Sequence, residues 1–438
     1  MNVAESAAQL YAHGDHAFKR GQWLPALAAF GGVVEACAGH LKSRLRIADA
    51  LLNAGKRELA LDVYKAIALR ASDAGQPLVA LVATKMVLLL DPSAEDTVGA
   101  IADRYSRDSD HVDALHEGPA PVVPGTERAA ALQSDGDALI QEAARLAMRG
   151  DTAQPRPRTV PPIPLLSSLD EDAFAAVVGK IRLRRFADEE VIIREGERGE
   201  SFFIVADGDV LVKRDIEDED GGITLAHLHR GAVFGEMALI ADDPRQASVI
   251  AQGDVEVLEM RRSDLIVAAA HVEGVSEALK SFTRERFLRN LTATHPFFAG
   301  LMRDERHEVM ESFRIVTFRR GDTVIEEGQE GAGLFLLLGG SASVAKVTGN
   351  ERIHLATLRG ADVCGEMSVV TDTPTQATVM CEDDLEALFL SRASFKAVVR
   401  AHPELIKYLA SLTDERQRHN RALLHGRGLL EDDEHVMI

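Results

Sequence analysis

From Phe234 to Val249 the chain reads Phe-Gly-Glu-Met-Ala-Leu-Ile-Ala-Asp-Asp-Pro-Arg-Gln-Ala-Ser-Val. Gly235 opens a short turn-to-helix segment, Glu236 stands beside it, and Arg245 follows nine residues after Glu236. Amides at a helix start have no intrahelical partner and point outward with partial positive charge, which suits an anion. A guanidinium adds a planar fork that matches phosphate oxygens. A carboxylate among those donors repels phosphate but accepts hydrogen bonds from sugar hydroxyls. Together the three groups describe a pocket for a sugar phosphate.

The stretch occurs twice. Phe186, Gly196, Phe203 and Gly208 recur as Phe318, Gly328, Phe335 and Gly340 at an offset of 132, and Gly235-Glu236-Met237 recurs as Gly365-Glu366-Met367 at 130. A constant offset interrupted once, at the acidic turn 215–222, marks two homologous domains. Within each copy, short alternating apolar runs such as Val210–Val212 and Thr224–Leu228 lie between Gly and Asp turns, the texture of a β-barrel or jelly roll. Helical sequence follows each copy, at 276–291 and 403–424, so the Gly235 segment is expected as a small helical insertion between strands.

Ahead of the duplication, Gly21, Ala26 and Phe30 recur as Gly55, Ala60 and Tyr64 after 34 residues, and a third unit starts early at Gly75 and Ala80. The spacing resembles the tetratricopeptide repeat, a helix-turn-helix unit in which small residues allow close packing. Prolines then concentrate between Pro119 and Pro164, as in a linker. One helix is expected within it, near 137–149, fluctuating by default. The fold expected is therefore multidomain α+β: a helical repeat domain (1–107), a Pro-rich linker (108–162), two β-roll domains with flanking helices (163–291 and 292–425) and an acidic tail (426–438).

A formal charge of −20 disfavours a nucleic-acid surface, which needs clustered Lys and Arg. No apolar run reaches the roughly 18–20 residues of a membrane helix, and no secretory signal is read at the N-terminus. The three cysteines lie far apart and fit reduced thiols in a cytoplasmic protein. No catalytic or metal-ligating constellation stands out, so an enzyme is not expected, nor a cofactor.

At the residues 234–249 and their duplicate, the sequence resembles the cyclic-nucleotide-binding domain family, and the tandem resembles the regulatory subunit of cyclic-AMP-dependent protein kinase. The resemblance implies a ligand stretch of Gly235, Glu236, Met237, Ala238, Arg245, Gln246 and Ala247. Arg245 would pair with the cyclic phosphate, helped by amides near Ala238 and Ala247, and Glu236 would hold the ribose 2′-hydroxyl. Val212 and Ala226 would face the base, and Arg286 or Phe287 on the following helix would close over it. Cyclic AMP is expected over cyclic GMP, although Gln246 matches neither preference.

In the second copy Thr375 replaces the arginine, so the site formed by Gly365, Glu366 and Thr375 is expected to be degenerate. A hydrogen bond to a charged group contributes roughly 1.5–3 kcal/mol, and Glu366 is expected to lack a compensating cation. The expected role is a sensor that signals to a protein partner through the helical repeats. The alternatives are an inhibitory kinase subunit, whose pseudosubstrate would be Arg156-Pro-Arg-Thr-Val160, and a nucleotide-independent scaffold. A transcription factor is disfavoured because only a helical tail follows the second copy.

Overall fold

In the computed structural model, Gly21, Gly55 and Gly75 each end a helix with positive φ, at 70°, 79° and 68°. The bonds around them are alike: Gln22, Lys56 and Gln76 donate their amides to Ala17, Leu51 and Ala71, five residues back. That pattern satisfies the last carbonyls of a helix and reverses the chain. Five residues beyond each glycine is a fully buried alanine, Ala26, Ala60 or Ala80. The turns thereby generate α1 (Ala7–Lys19), α2 (Trp23–Ala36), α3 (Leu41–Asn53), α4 (Arg57–Asp73) and α5 (Pro77–Leu90), followed by α6 (Glu95–Tyr105). Phe30 and Tyr64 fill the gaps between helices and are fully buried. The approach of α2 to α1 requires glycine at 14, since a Cβ there would lie 2.8 Å from the Phe30 ring.

The structure describes residues 5–113, 119–150, 157–216, 219–236, 245, 247–272, 274–348 and 351–425. It divides into two compact units, Met1–Phe282 and Thr283–Ile438.

Part of the stretch expected as a spacer is packed instead. Helix α7 (Gly136–Met148) buries Leu139, Ile140, Ala143 and Ala147 against α2, α3 and α4. Its final carbonyls are capped by Arg44, only 1% exposed, whose Nη1 donates to Leu146 at 2.7 Å and Ala147 at 2.6 Å. The short strands β1 (Glu5–Ser6) and β2 (Arg128–Ala129) pair antiparallel and tie the stretch to the N-terminus. A helix with six buried side chains and a buried guanidinium at its end is fixed by tertiary contact, not by propensity.

After α8 (Glu171–Lys180) comes the first roll: β3 (Arg182–Phe186), β4 (Val191–Ile193), β5 (Ser201–Ile216), β6 (Glu219–Leu228), β7 (Val233–Phe234) and β8 (Ser248–Arg261). The order is β3-β8-β5-β6, with β4 on β8 and β7 on β5. The long β5 and β8 change partners along their length because their register shifts around Asp207 and Asp209. Gly208, φ 84°, sits at that bulge, where a Cβ would come 2.5 Å from the Asp254 carbonyl. Helices α9 (Arg262–His271) and α10 (Val275–Thr294) follow.

One buried apolar cluster runs from Ala17 in α1 through α8 to Phe202, Ile204 and Leu258 of the roll. Helical layer and roll therefore share a core. A polar seam reinforces it. Asp49 on α3, 1% exposed, accepts from the Tyr64 hydroxyl at 2.5 Å and from Arg185 on β3 at 3.0 Å, and lies 3.2 Å from Arg46. Glu256 on β8 meets Arg185 at 2.9 Å and Arg46 at 3.7 Å.

Among the described residues, the second unit holds α11 (Arg303–Glu311) and a roll of eight strands: β9 (Arg314–Phe318), β10 (Thr323–Ile325), β11 (Gly333–Gly339), β12 (Ala342–Thr348), β13 (Glu351–Leu358), β14 (Val363–Cys364), β15 (Thr378–Cys381) and β16 (Leu385–Ser391). They form two sheets, β10-β15-β12-β13 and β14-β11-β16-β9. Gly340 repeats the part of Gly208, with its Cβ position 2.3 Å from the Asp384 carbonyl. Helix α12 (Glu366–Thr371) lies between β14 and β15, and α13 (Arg392–Ala401) and α14 (Glu404–His425) follow the roll; the end of α10 also belongs to this unit. The expected N-terminal helical region, followed by β-rich domains with flanking helices, is the architecture observed. Among the described residues no helix is long and apolar enough to cross a membrane.

Candidate functional site

The two copies build the same backbone cradle and fill it differently. In the first, Arg245 donates its amide to Glu197 O at 2.8 Å and accepts from Gly196 N at 2.8 Å. In the second, Thr375 donates to Gln329 O at 2.9 Å and accepts from Gly328 N at 2.8 Å. The strand beyond is pinned alike, with Glu195 N on Ser248 Oγ at 2.9 Å and Glu327 N on Thr378 Oγ1 at 3.2 Å. The difference lies in the side chains.

Arg245 reaches along the cradle and donates Nη1 to Gly235 O at 2.8 Å and Nη2 to Ser201 O at 2.6 Å. Glu236, adjacent to Gly235, is 3% exposed. Burial pushes the Arg245 guanidinium below its ordinary value, against the opposite pull of the Glu236 and Glu197 carboxylates. A half-buried guanidinium held on two carbonyls keeps donors available for an anion while its direction is fixed. Gly235, Glu236 and Arg245 thus come together, and Ala247 lies two residues beyond Arg245 in the chain. Val212 and Ala226 are cross-strand partners on β5 and β6, and Val212 also pairs with Val249 beside Ala247 and Ser248. Met237, Ala238 and Gln246 lie outside the described residues. Arg286 and Phe287 sit on α10 within the second unit. Phe287 is 4% exposed and packs near Gly360, whose Cβ position is 3.7 Å from its ring.

In the second copy, Gly365 is left-handed at φ 83° and starts α12, a six-residue helix between strands. Thr375, 8% exposed, turns its hydroxyl inward to Glu326 O at 2.5 Å and Gln329 O at 3.1 Å. Glu366, 2% exposed, does have a cation, contrary to the expectation from sequence. Arg416 on α14 places Nη1 2.8 Å from Glu366 Oε1 and 2.7 Å from Val363 O. Burial draws the Arg416 guanidinium down, and the Glu366 carboxylate more than offsets it. A pocket of about 110 Å³ remains between α14 and the roll, lined by Val344, Ala356, Glu366, Thr375, Arg416 and His419. Val344 and Ala356 are the duplicates of Val212 and Ala226 and are likewise cross-strand partners.

Sequence reasoning missed Arg416 because it lies 50 residues from Glu366 in a helix without a motif. The available signal was indirect: a carboxylate that burial leaves without water requires a partner. Elsewhere in this unit Glu305, His402 and Glu404 bring ligand atoms within 4.8 Å of one another. Glu305 is already in use there, accepting the Met302 amide at 2.7 Å as a helix cap.

Both copies also match a known family. The model of the cyclic nucleotide-binding domain matches residues 183–270 and 315–402. The cAMP-dependent protein kinase regulatory subunit of Blastocladiella emersonii is 29% identical over 53% of this chain and 55% of its own length. The corresponding subunit of Candida albicans is 26% identical over 56% of this chain and 49% of its own. The chain thus spans about half the length of these relatives. The solved regulatory domain of Toxoplasma gondii PKA with cAMP is 25% identical, covering 57% of this chain and 92% of that one, with a TM-score of 0.28. The chain carries two cyclic nucleotide-binding domains in tandem and is homologous to the regulatory subunits of cAMP-dependent protein kinase.

Proposed function

We propose that this protein is a non-enzymatic cyclic-nucleotide sensor that binds its ligand, preferentially cyclic AMP, in the first roll. The observation that carries this is the placement of Arg245 across the Gly235 carbonyl, beside buried Glu236, in a domain that matches the nucleotide-binding family. Arg245 takes the cyclic phosphate and Glu236 the ribose 2′-hydroxyl. Ligand acts only through a difference in affinity between two conformations. The shared core of roll and helices supports transmission through the helical layer to a protein partner. The second roll, with Thr375 turned inward and Glu366 held by Arg416, is the degenerate member.

Thermal shift and calorimetry with cyclic AMP and cyclic GMP test this. At 100 times the dissociation constant, binding adds about 2.7 kcal/mol of stability. Arg245→Ala should lose the shift and Thr375→Ala should keep it. No shift with either nucleotide at millimolar concentration defeats the proposal.

A second reading, supported by the names of the relatives, makes the partner a protein kinase inhibited through residues 156–160. Arg156 lies outside the described residues. Val160 is fully buried, with its amide on His111 O at 2.7 Å and its carbonyl accepting from Asp113 N at 3.1 Å. An inhibitory segment here has to leave that seat before it can enter a kinase cleft.

A further inference from the structure

Between the helical layer and the first roll lies a cavity of about 640 Å³, within the range of small-molecule pockets. Both walls belong to the first unit. The helices contribute Tyr11, Leu45, Val79 and Val82, the chain at 119–124 adds Pro121 and Val123, and the roll supplies Asp207, Arg230 and Glu256. Most of this lining is apolar.

Its charges do not balance. Lys42 is matched by Asp207 at 2.5 Å, and Arg46 by Glu256 at 3.7 Å and Asp49 at 3.2 Å. His40 is neutral at pH 7, since burial pushes it down to about 4. Arg230 remains. It donates to the neutral Gln76 Oε1 at 2.9 Å and has no carboxylate within 4 Å among the described residues. Burial holds its guanidinium below the ordinary value, with Asp207 only partly offsetting. A half-buried cation that faces an apolar cavity gains from an anion it can reach.

We propose that this cavity is a second small-molecule site, which takes an apolar molecule carrying a single carboxylate-like anion, the anion on Arg230 and the apolar body against α5 and the proline-rich wall. Gln76 links the two ends, because its Nε2 donates to Pro119 O at 2.5 Å while its Oε1 holds Arg230. Arg230 also lies on the turn that feeds β7, which pairs with Phe203 and Ile204 and runs directly into Gly235. An occupant therefore touches the segment that enters the nucleotide cradle. The site does not depend on nucleotide binding.

The test is calorimetry on the full chain with decanoate, below its micelle concentration, and with 2-naphthoate, so that flexible and rigid apolar bodies are compared. Uncharged decanol is the control. One or both anions should bind once per chain. Arg230→Gln, which preserves hydrogen bonding to Gln76, should weaken the anion about tenfold or more and change decanol less than about twofold. Val79→Trp should fill the cavity and abolish binding of both classes, with circular dichroism showing that each variant is folded. Absence of saturable binding of both anions at low millimolar concentration overturns the proposal, and so does binding that neither variant alters.

Discussion

Replacing Asp49 by alanine should destabilise the helical layer and the first roll together. Asp49 is 1% exposed and faces Arg46, Arg185 and the Tyr64 hydroxyl within 3.2 Å. Its loss leaves two guanidinium groups to one carboxylate, Glu256, and removes the acceptor of a buried hydroxyl. Removing one partner from a buried ion pair costs about 3–5 kcal/mol, because the remaining charges are left in low dielectric. For a unit this large, each kcal/mol corresponds to roughly 2–4 °C, so the transition should fall by about 6–20 °C. Asp137→Ala is the control: Asp137 pairs with Lys56 at 3.0 Å, but its side chain is 85% exposed, and such pairs contribute about 1 kcal/mol or less. Urea unfolding gives the magnitude, and hydrogen exchange locates it. Exchange should accelerate in α3, α4, β3 and β8 alike. A loss below about 1 kcal/mol, or faster exchange confined to α3 and α4, would refute the argument that the seam joins the two layers energetically.

Three further outcomes are expected. Gly14→Ala places a methyl 2.8 Å from the Phe30 ring and should cost about 1–3 kcal/mol by overpacking, read from thermal unfolding. Arg416→Ala should destabilise the second unit by about 3–5 kcal/mol by stranding Glu366, with Arg416→Lys restoring part of the loss; an unchanged transition would mean that the pair is not formed in solution. Burial lowers Lys85, whose Nζ donates to Val178 O and Gly179 O, to about 8. Between pH 8 and the ordinary lysine value the unfolded chain holds more protons, so this residue makes stability rise with pH, and Lys85→Met should flatten that slope between pH 8 and 9.5 in urea titrations.

Much of the fold was legible because duplication repeats its constraints. Gly208 and Gly340 recur where a side chain would strike a carbonyl, and Gly235 and Gly365 recur at the cradle. The 34-residue spacing of Gly21 and Gly55 is the length of one helix pair. What local pattern could not convey was which surfaces meet. Residues 137–149 read as a linker helix because the burial of α7 depends on Arg44 and on α2 to α4, far away in sequence. The seam of Asp49, Arg185 and Glu256 reads as ordinary surface charge in a strand or helix, since alternation says nothing of a neighbouring layer. At the site, Arg245 and Glu236 were visible through spacing. Arg416 was not, because a helix arriving from 50 residues away leaves no local mark.

Arg416 is part of the same chain, so its guanidinium is present at Glu366 at an effective concentration of millimolar order or above, whatever the amount of protein. A free ligand that needs the Glu366 carboxylate competes with an occupant that never dilutes. Its apparent affinity falls by the ratio of paired to unpaired Arg416, and a pairing of about 99 to 1 weakens it roughly a hundredfold. For any such ligand, changes that loosen α14 would count as much as changes within the pocket.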